Sequence, residues 1–101
     1  MDIGDVTVET FEGREGDVFA VRFEDGAYDL TVAAVERPPG DWGRSDMREP
    51  FSVTLHGEPT HVLPQGLWTL SHGELGDIQL FVVPIGPTDD GAAQQYQVVF
   101  S

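Results

Sequence analysis

The sequence predicts an all-β fold: a small antiparallel barrel or sandwich of six or seven short strands, preceded by a short helix. Three observations carry this. Large apolar residues alternate with polar or small ones along several short runs. Gly, Pro and Asp-Gly pairs separate those runs at close intervals. One Asp-Gly pair lies between two alternating runs, the strongest short hairpin signal a sequence can carry. At 101 residues the chain is read as one domain, 1–101, large enough to bury a core without staples.

The elements follow in order. In residues 1–12, Asp2, Asp5, Glu9 and Glu12 recur at helical spacing among Ile3, Val6, Val8 and Phe11. One or two turns of helix are expected, with Asp5 or Thr7 as cap, Gly13 as stop, and Val8 and Phe11 facing inward. "DVFAVRF" is a half-buried strand with Phe19, Val21 and Phe23 on one face. "EDG" at 24–26 turns the chain into "AYDLTVAAVE", with Tyr28, Leu30, Val32 and Ala34 on one face. Residues 37–50, rich in Pro and Gly, are expected to be a long connection. "FSVTLHG" has Phe51, Val53 and Leu55 inward and ends at Gly57. Pro59 and Pro64 limit the next stretch to an edge segment around His61–Leu63. "LWTLSH" and "GDIQLFVVPIG" are two further strands. The nearly continuous apolar run in "LFVVPI" suggests a strand covered on both faces. "GPTDDGAAQ" is a loop with Asp90-Gly91 at its tip, and "QYQVVF" closes the chain with Tyr96, Val98 and Phe100 in register.

Charge restricts the function classes. Asp and Glu number 18 against 5 basic residues, a formal net charge of -13, and every base is arginine. Such a surface repels phosphate, which argues against nucleic acid and anionic membranes as partners. High charge of one sign also keeps a small protein dispersed. No apolar run approaches a membrane span and no secretory leader is visible, so a cytoplasmic location is expected. The chain has no cysteine, which removes disulfides and thiolate chemistry.

Catalytic signals are sparse, and no cofactor is implied. His56, His61 and His72 stand near successive turns, but a three-histidine metal site needs them convergent. Strand parity puts His72 inward and His56 outward. Ser71 and His72 are neighbours on a strand and point to opposite faces, which precludes a dyad. His72 is expected to be half buried, with its ring nitrogens bonded to turn backbone. "PTDDG" lacks the alternating oxygen ligands of a calcium loop and reads as a β-turn. Trp42, Arg44 and Arg48, in the long connection, are the candidate partner-binding residues, because Trp and Arg are enriched at binding hot spots. Pro64, Gln65, Gly66, His72 and Gly76 read as structural turn residues, with Gln65 and His72 satisfying backbone groups.

"FEGREGDVFAV" (11–21), "PFSVTLHG" (50–57), "LPQGLWTLSHGELGDIQLFVVPIGP" (63–87) and "YQVVFS" (96–101), taken together and in that order, resemble an uncharacterised family of small bacterial domains. Its pattern runs L-P-Q-G-x-Y-x-L-x-H-x-x-L-G-x-x-x-L-F-x-V-P through the central segment. Here Trp68 replaces the usual tyrosine, and Leu55-His56-Gly57 stands where an aromatic commonly precedes the glycine. The resemblance implies no activity. Its members' neighbourhood with phage-tail-collar-like proteins implies an accessory component of a fibre-like assembly. The expectation is a non-catalytic structural or protein-interaction module that contacts itself or a protein partner through an edge strand or the Trp42 loop. The alternatives are a small metal- or ligand-binding enzyme around His61, Gln65 and His72, and an acidic inhibitor of a basic protein.

Overall fold

A computed structural model describes residues 6, 8–24, 26–36 and 51–100. The candidate contact residues Trp42, Arg44 and Arg48, and the expected caps Asp5 and Thr7, lie outside the described residues.

The elements are α1 (Val8–Phe11), β1 (Val18–Phe23), β2 (Gly26–Glu36), β3 (Phe51–Gly57), β4 (Gly66–His72), β5 (Gly76–Pro87) and β6 (Gln94–Phe100). The strands form a closed barrel in the order β1-β2-β3-β6-β5-β4, every pairing antiparallel. Closure removes the edge strand on which one expected mode of contact relied. It rests on the slimmest of the pairings, Ala20 with Ser71 between β1 and β4. Residues 58–65 form an irregular crossing, not an edge strand, and only Leu63 within it is buried.

Inward positions follow the two-residue period closely. Phe19, Val21, Tyr28, Leu30, Val32, Phe51, Val53, Leu55, Leu70, Ile78, Leu80, Val82, Tyr96, Val98 and Phe100 all belong to one buried cluster. One expected position is wrong: Ala34. The pairing of β2 with β3 shifts between Val32 and Ala34, so the extra residue reverses the parity and Val35 packs against the core instead. Phe23 keeps its inward parity but is 44% exposed, because it stands where the barrel opens. The apolar run of β5 is not covered on both faces either. Phe81 and Ile85 are exposed on the outside, Ile85 at a second register shift between Pro84 and Gly86.

The two ends of the barrel differ. At one end Phe11 of α1 seats among Phe19, Phe51 and Phe100, with ring centroids 5.9, 6.3 and 5.7 Å away. Phe51 and Phe100 stack at 4.4 Å across β3 and β6. A helix of 4 residues has no stability of its own, so this aromatic seat must hold it. Truncating the plug leaves a cavity bordered by three rings. Phe11→Ala is expected to cost about 3–5 kcal/mol, measured by urea unfolding.

Candidate functional site

At the opposite end, the mouth of the barrel is crossed by residues 58–64, and a chain of hydroxyls fixes this crossing. The Leu63 N–H donates to Tyr96 Oη at 2.9 Å, and the two tyrosine hydroxyls lie 2.9 Å apart. Tyr28 Oη faces the carbonyl oxygens of Glu58 at 2.6 Å and His61 at 2.7 Å. Carbonyls only accept, so the Tyr28 proton goes to them and Tyr96 must donate to Tyr28. The two rings meet edge-on at 6.1 Å. Burial, and then the bond with Tyr96, raises the Tyr28 hydroxyl far above its ordinary pKa, so it stays a neutral donor. Among the described residues every buried side-chain polar atom has a partner.

Gly57 makes this arrangement possible. A Cβ there would come within 2.8 Å of Tyr28 Cζ, with the hydroxyl closer still. The glycine that ends β3 is therefore a close-approach residue as well as a strand terminator.

Outside the tyrosines lies an open groove of about 490 Å³ lined by Phe23, Tyr28, Glu58, Val62, Pro64 and Trp68, among others. Trp68 Nε1 donates to the Pro64 carbonyl at 2.9 Å, and the indole meets Phe23 edge-on at 5.9 Å. Glu58 accepts from the Thr60 hydroxyl and lies 3.2 Å from His61 Nδ1. The Thr60 hydroxyl first, and then the His61 ring, hold the Glu58 carboxyl below its ordinary pKa. A second groove of about 450 Å³ lies nearby, between Tyr28, His56, Gly57 and Ala93.

His72 sits at the helix end, away from the mouth. Its Nδ1 accepts the Glu74 and Leu75 N–H groups at 3.0 and 3.2 Å, as expected for a turn-satisfying histidine. Its Nε2 does not bond to backbone: it donates to Asp17 Oδ2 at 3.0 Å, with the ring 4.7 Å from Phe19. The Val32 N–H donates to the Asp17 carbonyl at 2.9 Å and so places the carboxylate, and Arg14 approaches the same oxygen as His72 at 3.2 Å. His72 first, and then Arg14, lower the Asp17 pKa from its ordinary 3.8.

The other expected residues are now placed. Pro64 lies in the crossing, where its carbonyl orients Trp68, and Gly66 begins β4. Gly76 opens β5 with φ at +77°, a conformation that favours glycine. Gln65 is exposed, and the backbone of the crossing is tied by Tyr28 and Tyr96 instead. His61 and His72 stand at opposite ends with separate acidic partners. Ser71 bonds to Asp77 at 2.7 Å, while His72 turns to Asp17. With both nitrogens engaged, His72 is built as a brace. Among the described residues no group of three histidine, aspartate or glutamate side chains could hold a metal ion.

Sequence reasoning missed the paired hydroxyls, the close approach at Gly57 and the Phe23–Trp68 contact. The available signal was that both of the chain's tyrosines occupy inward positions, since a buried hydroxyl requires a partner.

These features define the class: a small closed antiparallel barrel, plugged by a helix at one end and spanned by a tyrosine-anchored loop at the other. More particularly, the chain belongs to the family described as Domain of unknown function (DUF6916), whose model matches residues 6–100. Nothing among the curated proteins or the solved structures matches it.

Two predictions follow from the mouth and the brace. Gly57→Ala is expected to cost about 1–3 kcal/mol by urea unfolding, with a smaller cost in a Tyr28→Ala background, where the blocking ring is gone. For Asp17 the folded pKa lies below the unfolded one. Its stabilising contribution is therefore complete above pH 3.8 and is lost as pH falls through the lower folded value. The stability gap between wild type and Asp17→Asn should hold from neutral pH down to about pH 3.8 and close between there and the lower folded value, as read by unfolding at stepped pH.

Proposed function

We propose that this protein is a non-catalytic structural module that associates with a second copy of itself through the outer face of β4, β5, β6 and β3. A row of exposed apolar residues on that face carries the reading. Leu67, 61% exposed, pairs across strands with Phe81, 48% exposed. Val99, 67% exposed, lies on the next strand level with Phe81, two residues along from the Val83–Gln97 pair. Their outward neighbours are Ser52, Thr54, Thr69, Gln79, Val83 and Gln97, none of them charged. No Asp, Glu or Arg occurs in 51–57, 62–73, 78–88 or 92–101.

In a chain of net charge -13, an uncharged apolar face is where two copies can meet without opposing carboxylates. Its Gln, Ser and Thr side chains both donate and accept, so the face can complement itself. A basic partner would find little to attract it there. The accessory role in a fibre-like assembly implied by the resemblance would need a second, non-isologous contact, since an isologous one closes at the dimer. No observation favours the enzyme around His61 and His72.

Salt gives the test its sign. Repulsion between two acidic copies is screened as ionic strength rises, so self-association should tighten with salt, opposite to docking on a basic protein. Sedimentation velocity at high micromolar concentration should show dimer growing with added NaCl, and Phe81→Glu or Leu67→Glu should return monomer with an unchanged melting temperature. A monomer at every salt concentration, or a dimer indifferent to both substitutions, overturns the reading.

A further inference from the structure

We propose that the mouth of the barrel is a recognition site for a guanidinium group, presented as an arginine side chain on an extended peptide. The inference stands apart from self-association, because it uses the opposite feature of the molecule, an aromatic groove with a carboxylate beside it.

The groove's shape and its lining chemistry agree. At about 490 Å³ and open to solvent, it suits a side chain that enters from outside while its backbone stays on the surface. Phe23 is exposed and Trp68 only partly buried at this end, whereas the aromatics at the other end are sealed by Phe11. The indole N–H is already bonded to the Pro64 carbonyl. That bond fixes the orientation of Trp68 and leaves its ring for stacking rather than for hydrogen bonding. A planar, weakly hydrated guanidinium is the cation best matched to an aromatic face.

Glu58 supplies the counter-charge. Thr60 and His61 each engage one of its carboxylate oxygens, and a carboxylate has about four acceptor positions, so positions remain for a donor-rich ligand. Among the described residues no arginine lines the groove, the chain has no lysine, and the one basic side chain there, His61, meets a single oxygen of the carboxylate. The net charge of -13 adds a long-range pull on cations. A purely aliphatic occupant would instead cover Glu58 without adding a donor to its remaining acceptor positions, at a desolvation cost. The rigid floor follows from the hydroxyl chain, since Tyr28 and Tyr96 hold the backbone of residues 58, 61 and 63 in place before any ligand arrives.

The test is an amide-shift titration of the labelled protein with acetyl-glycyl-arginyl-glycinamide and with its citrulline counterpart, which keeps the shape and loses the charge. Saturable shifts are expected at Phe23, Val62, Leu63 and the Trp68 indole. Binding should be at least about fivefold weaker for the citrulline peptide and for Glu58→Gln, the loss of a cation contact of roughly that size. Glu58 is exposed, so its substitution leaves the fold intact; Trp68→Leu should abolish the shifts and is read only alongside an unchanged Ala20 and Ser71 amide pattern. No saturable shift, equal binding of the citrulline peptide, or shifts confined to residues away from the mouth would each overturn the proposal.

Discussion

A relay of four hydrogen bonds, from the Leu63 amide through Tyr96 to Tyr28 and on to the carbonyls of Glu58 and His61, holds the mouth of the barrel together. A closed antiparallel barrel has paired backbone along its walls but must still satisfy whatever crosses its ends. At one end a helix seals the opening with aromatic packing. At the other the chain crosses without regular structure, and its polar backbone groups find partners on side chains rising from the core. Buried hydroxyls of this kind are stabilising only when complete, since a half-satisfied pair would leave a desolvated donor or acceptor behind. Gly57 belongs to the same constraint, because the Tyr28 ring occupies the space where a side chain would stand.

The distribution of charge gives the outside of the molecule its second organising feature. Many of the described carboxylates lie on α1, at turns and on β2, while the face built from β3, β6, β5 and β4 carries none across its centre. The mouth and that face are thus chemically unlike. One offers an aromatic wall with a carboxylate, the other an uncharged surface with an apolar row. The two proposed contacts would respond to salt with opposite sign, because screening weakens repulsion between like-charged copies and attraction to a cation alike.

Much of this was legible in the chain. The strand positions, the Glu24–Gly26 hairpin, the helix with Val8 and Phe11 inward, and the Asp90-Gly91 turn all come from local pattern, and all are present. Where the reading failed, a non-local term decided. The apolar run of β5 resembled a doubly covered strand, yet Phe81 faces outward, because composition does not say what stands opposite. Ala34 lost its place to Val35 through a bulge that only the pairing with β3 reveals. The histidine in the turn reads as bonding to backbone through both ring nitrogens, but its Nε2 goes to Asp17, which lies 55 residues away in sequence.

By itself, then, the sequence determined which residues form strands, which of their faces turn inward and where the chain reverses. Those properties depend on neighbours within a few positions, through side-chain alternation and turn chemistry. Tertiary structure alone decided closure, register and the meeting of distant groups. It brought Tyr28 to Tyr96 across 68 residues, set Leu67 beside Phe81, and left Phe23 and Trp68 at an open mouth. Register is settled by burying the whole core at once, since slipping one strand by a single residue would turn every inward side chain out. No short stretch of the chain contains that sum.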